Sequence, residues 1–174
     1  MNATPTQSGD IESAVTGADR QPGATTTPAT IEFISFAIGD EQYGVDIMAV
    51  REIKGWSDIT HLPKQPNYVR GVLNLRGSIV PIVDLRCRFG QGLTETTPLH
   101  IVIIVQIGQR QLGLIGDRVL DIVSVTPAQI QPVPKTDASN ASNFLAGLVS
   151  TDDAMMALIN LPHLVADDAE AEAA

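Results

Sequence analysis

At 174 residues, 44% hydrophobic and 18% charged, the chain has the make-up of a soluble globular protein of one domain or two small ones. Its net charge of −9 repels phosphates, which argues against nucleic acid and anionic membrane as partners. Its apolar runs, such as Ile101 to Val105, fall far short of the roughly 20 residues that span a bilayer, and a lone cysteine, Cys87, rules out an internal disulfide and fits a reducing cytoplasm.

Residues 1–30 are mostly Thr, Ala, Gly, Pro and Ser, too poor in large apolar side chains to offset ordering entropy, so they read as a disordered tail. They hold no basic region followed by an apolar run, so no signal peptide is expected. From Ile31 the pattern is β. Phe33 to Ile38 and Tyr43 to Val45 flank a turn at Gly39-Asp40-Glu41-Gln42, which predicts a hairpin. Asp46 suits the cap of one helical turn, Ile47 to Ala49. Val50 to Lys54 reads as a strand closed by Gly55, and Trp56 to Pro66 as a loop. Gly71 to Leu85, GVLNLRGSIVPIVDL, predicts a second hairpin that presents Arg76 at its turn, with Gly77 free to take positive φ. Pro81 inside that strand predicts an edge, a bulge or a barrel corner.

The pattern then restarts. After Gly90 to Pro98, Val102 to Ile122 aligns without gaps on Phe33 to Ile53 at an offset of 69. Ile130 to Pro134 echoes Ile59 to Pro63 at 71, and Gly147 to Leu161 repeats Gly71 to Leu85 at 76. The fold is therefore expected to be duplicated. With about five short strands per copy, the expectation is all-β, two tandem five-stranded barrels, because closure removes exposed edges. The first spans 31–90 and the second 99–165, with a short terminal helix from Pro162 to Ala169 and an acidic tail at 166–174.

No catalytic constellation is visible. His61, His100 and His163 stand alone, no phosphate-binding glycine loop occurs, and Cys87 has no histidine beside it. Asp152-Asp153 and Asp167-Asp168 read as a solvated turn and tail. No metal or cofactor is expected.

Surfaces carry more. If Ile103, Val105 and Ile107 face a barrel interior, alternation turns Val102 and Ile104 outward, to be covered either by the sister barrel or by a partner. Val50 and Glu52 share a strand face by the same rule. Arg76 is expected to pair with Glu52 and so fix one side of a partner groove.

The stretches FISFAIGDEQYGVDIMAVREIKGW at 33–56, YVRGVLNLRGSIVPIVDLRCRFG at 68–90 and VIIVQIGQRQLGLIGDRVLDIVSVTPAQIQPVP at 102–134 resemble the CheW-like family, with NLRGSIVPIVDLR its most specific element. The resemblance implies two SH3-like barrels and no enzyme activity. It implies a cytoplasmic adaptor, recruited to membrane-associated arrays, that couples the tips of methyl-accepting chemoreceptors to a CheA-type histidine kinase, with other CheW-like copies as further partners. Carried over by position, it assigns receptor contact to Val50, Glu52, Ile53, Arg76 and Val102, in the groove between barrels. Kinase contact goes to barrel surfaces away from that groove, mostly on the second barrel, at residues the sequence does not identify.

Rival readings are an array that controls pili or second-messenger output, a small-barrel nucleic-acid binder, which would need a basic groove and exposed aromatics, and an enzyme with acids clustered between the barrels.

Overall fold

In the computed structural model, residues 29–135, 140–152 and 154–165 are described. The tails expected at 1–28 and 166–174, and the far end of the terminal helix, lie outside them. Eleven strands run in order: β1 (Ile31–Ile38), β2 (Glu41–Asp46), β3 (Val50–Gly55), β4 (Val69–Leu75), β5 (Ser78–Asp84), β6 (Ile101–Ile107), β7 (Arg110–Gly116), β8 (Arg118–Val125), β9 (Ile130–Gln131), β10 (Leu145–Ser150) and β11 (Met155–Ile159). A four-residue helix α1 (Leu85–Arg88) follows β5, and a second, α2 (161–165), follows β11.

The duplication extends to single hydrogen bonds. Asp84 caps α1 by accepting the Cys87 amide at 3.3 Å, and Asn160, 76 positions on, accepts the His163 amide at 3.4 Å. The isolated bridge Thr60↔Val72 in the first copy becomes Gln131↔Leu148, the β9–β10 pair, in the second. Pro81 lies in an interior strand, opposite Val72 of β4, at a point where β5 is paired on one side only. The strand β5 pairs with β7 only from Ile82 onward, so no ladder bond on that side is lost at the proline.

The two copies do not, however, form one barrel each. Sheet I has the order β8-β1-β2-β11-β10-β9 and sheet II the order β3-β6-β7-β5-β4. Each copy therefore gives its first hairpin to the other copy's barrel. The expected barrel limits of 31–90 and 99–165 are corrected accordingly: the barrels are intertwined, not tandem. The chain changes sheet at two places. One is the turn Ile47–Ala49, where Asp46 accepts the Met48 amide at 2.9 Å. The other is Asp117, whose carboxylate accepts the Gly39 amide at 2.7 Å and faces Arg86 at 3.4 Å and His100 at 3.3 Å. The exchanged strands are joined by parallel pairings, β2 with β11 and β5 with β7, the arrangement that only a long connection permits.

Three apolar layers result. Leu73, Val80, Ile82, Val102, Ile104 and Ile115 fill sheet II, and Phe33, Val125, Val149, Met156 and Leu158 fill sheet I. Between the sheets lies the largest layer, with Ile34, Phe36, Val45, Leu85, Ile103, Val105 and Leu114 among its members. Because β6 is covered on both sides, its run Val102–Val105 is apolar without alternation. Arg88 clamps the layer from α1. Its guanidinium lies 4.0 Å from the Tyr68 ring centroid and 4.4 Å from that of Phe144.

A buried carboxylate ties down the connection between copies. Asp84 accepts from Arg70 Nη1 at 2.9 Å, from the Thr94 amide at 2.7 Å and from Thr94 Oγ1 at 2.7 Å, in addition to the α1 cap. The motif's aspartate is therefore structural: an unpaired buried charge would be costly, and this one is fully partnered.

Candidate functional site

Four of the five expected contact residues lie on β3, an edge strand of sheet II, or at the turn that reaches it. Its register against β6 breaks at Arg51: Val50 faces Val105, but Glu52 faces Ile104. Directly opposed residues share a face. The bulge thus turns Val50 toward the layer between the sheets and Glu52 toward the mouth of barrel II, so these two do not share a face as alternation suggested. Ile53 pairs with Ile103, whose side chain is in the central layer, but at the rim, where Ile53 stays 38% exposed.

Arg76 comes from the opposite edge. The strands β4 and β5 extend to Leu75 and Ser78, leaving a two-residue turn of Arg76 (φ 51°) and Gly77 (φ 87°). Positive φ at both positions is the turn that matches strand twist, and Asn74 Oδ1 holds it by accepting the Gly77 amide at 3.0 Å. From there Arg76 Nη1 reaches Glu52 Oε2 at 2.8 Å, with side chains 78% and 26% exposed. The expected pair exists, and it links the two edge strands of sheet II.

Val102 is misplaced in the expectation. It is 1% exposed, inside barrel II with Ile104, because the strand exchange covers both faces of β6. It supports the surface from below and does not reach it. Sequence reasoning also missed Met48, 79% exposed in the turn just before β3. The available signal was a large apolar residue inside a capped turn, two residues ahead of Val50.

The remaining reactive groups are committed elsewhere. The Cys87 thiol is pushed up, first by burial and then by the Asp84 charge, away from a nucleophile's range. Glu41 is held below its ordinary value by the Tyr43 hydroxyl at 2.5 Å and the Gln91 amide at 3.0 Å. His100 and His163 contact Asp117 and the Asn143 carbonyl. Among the described residues, no group of three His, Cys, Asp or Glu is placed to hold a metal, and no helix is long and apolar enough to cross a membrane.

The Glu52–Arg76 pair thus bridges the open side of barrel II, with exposed Ile53 on the same strand and exposed Met48 in the turn before it. The model of the CheW-like domain matches residues 32–169. The chain belongs to the CheW-like family. Its curated relatives include the "Probable chemotaxis protein CheW" of Rhizobium etli, 41% identical over 82% of this chain and 92% of that protein. The "Chemotaxis protein CheW" of Klebsiella aerogenes is 38% identical over 79% and 82% of the respective lengths. "Protein FrzA" of Myxococcus xanthus is 30% identical over 75% of this chain and 81% of that protein. Among solved structures, the scaffolding protein TtCheW from Thermoanaerobacter tengcongensis superposes with a TM-score of 0.71 at 34% identity, covering 79% of this chain and 88% of that one. CheW-like proteins are scaffolds, not enzymes, and the two-barrel architecture found here is theirs.

Proposed function

We propose that the protein is a chemotaxis adaptor that couples methyl-accepting chemoreceptors to a CheA-type histidine kinase in the cytoplasm, at membrane-associated arrays. The observation that carries this reading is the Glu52–Arg76 pair beside exposed Ile53 and Met48. A receptor tip is a helical hairpin, and a helix laid along β3 would bury its apolar stripe on exposed Met48 and Ile53 while the ion pair fixes its register. Val102, sealed in the barrel, would act only by supporting β3. Kinase contact falls to sheet I, away from β3. There β8 is a free edge with Val119, Leu120 and Ile122 exposed, an apolar strip of the kind that proteins cover with partners. Such a scaffold conveys a signal only if its contacts differ between receptor states.

The similarity to Protein FrzA, whose name is not CheW, supports a second reading in which the same coupling serves an array that controls pili or second-messenger output. Other CheW-like copies are further candidate partners on either reading. The test is reconstitution of the full chain with a soluble receptor hairpin and the kinase. The expected result is that receptor and kinase co-elute only when the chain is present. Co-elution without it would refute the adaptor role.

A further inference from the structure

The duplication places a second cleft where barrel II has its Glu52–Arg76 pair. On β8 the register breaks at Leu120, 69 positions after Arg51. Val119 faces Phe36 and Asp121 faces Ser35, as Val50 faces Val105 and Glu52 faces Ile104. Asp121 is thus the counterpart of Glu52. The counterpart of Arg76, 76 positions on, is Asp152, in the turn between β10 and β11.

The substitution of an acid for the arginine leaves barrel I unstapled. Between β8 and that turn lies a cleft of about 520 Å³ whose lining includes Asp121, Asp152, Ser124, Thr151, Gln42 and Ser35. Asp121 Oδ1 accepts its neighbour's amide, Ile122 N, at 2.7 Å, and neither aspartate has an ion-pair partner among the described residues. The floor differs too. Where barrel II has apolar Ile104, this cleft has Ser35, 2% exposed, whose hydroxyl has no hydrogen-bond partner among the described residues. The rim is apolar: Ile122 and Leu120 are exposed on the same strand. Two carboxylates beside hydroxyls that can also accept make a net-negative, acceptor-rich site, suited to the five-donor guanidinium fork and opposed to an anion.

We propose that this cleft receives an arginine from a protein partner, presented on a turn that docks beside β8 and taking the place that Arg76 holds in barrel II. The sister barrel is the precedent, since its arginine-bearing turn meets the equivalent acid at 2.8 Å. The inference adds to the adaptor reading a chemical requirement on the protein that docks at β8, and it stands whether or not that protein is the kinase.

The test is an NMR titration of the full isotope-labelled chain with a cyclic peptide hairpin carrying arginine at its turn, beside the same peptide with glutamine there. The arginine peptide should shift the amides of Asp121, Ile122, Ser150 and Asp152, and the glutamine peptide should bind about tenfold more weakly, the loss expected for one charge-assisted pair. Asp121→Asn with Asp152→Asn should abolish the difference between peptides. Asp152→Arg should fill the cleft from within, raise the melting temperature and block the arginine peptide. Equal binding of the two peptides, no shift at β8, or undiminished binding to folded Asp152→Arg would overturn the proposal. None of these results bears on receptor capture at β3, so the adaptor reading fails or survives separately.

Discussion

Glu52 and Arg76 meet at 2.8 Å across the one side of barrel II where no ladder runs, between edge strands β3 and β4. The pair is largely solvent-exposed, so its net worth to folding is about 0.2–1 kcal/mol. Arg76→Ala should therefore leave the urea midpoint nearly unchanged. A double-mutant cycle with Glu52→Ala on receptor binding should give a coupling energy larger than the same cycle gives for stability. Equal couplings would make the pair merely structural.

Val102→Asp should behave in the opposite way. An unpaired carboxylate inside barrel II, at a site 1% exposed, costs several kcal/mol, enough to unfold a marginally stable protein. Circular dichroism should record a lost or strongly lowered melting transition. A native-like melt would mean that the side chain reaches the surface after all.

Those two residues mark what the sequence disclosed and what it hid. Gapless repeats with matched glycines made the duplication visible, and a lone arginine beside Gly77 marked the turn. The strand exchange was hidden, because a hairpin has the same alternation whichever sheet receives it. Val102 was misassigned because a strand covered on both faces carries no period. The β3 bulge escaped because an extra residue in one strand of a ladder shows only once its partner, β6, is known. The Arg76–Glu52 pair was legible since opposite charges on a turn and an edge strand have few other partners.

Asp84→Ala should be among the most damaging changes. It removes an acceptor for Arg70, for Thr94 and for the α1 cap, leaving a largely buried guanidinium without its counter-charge and with only the Thr94 carbonyl to accept from it, with an expected cost of about 3–5 kcal/mol. Urea denaturation measures it, and a change below about 1 kcal/mol would show that the network contributes little.

Gly71→Ala tests the closure of barrel II. At φ 150° its added Cβ would collide with the Thr60 carbonyl, the partner of Val72 in the bridge that joins the loop to β4. The variant should lose amide-exchange protection at Thr60 and Val72 first. Full protection there would refute the assigned clash.

Glu41 sets an acid-side expectation. Its carboxyl is held below 4.5 by hydrogen bonds from Tyr43 and Gln91. A lowered folded-state value stabilises the fold above the unfolded value and loses that contribution as pH falls through the folded one. Glu41→Gln should therefore flatten the decline of the melting temperature below about pH 4.5 and leave its slope near neutrality unchanged. An unaltered acid limb would contradict the assignment.

The most direct test of the docking face is binding of a soluble receptor hairpin to the chain carrying Ile53→Asp, with kinase binding measured on the same sample. The account predicts receptor affinity reduced about tenfold or more, an unchanged melt and unchanged kinase affinity. Receptor affinity equal to that of the unaltered chain would contradict it.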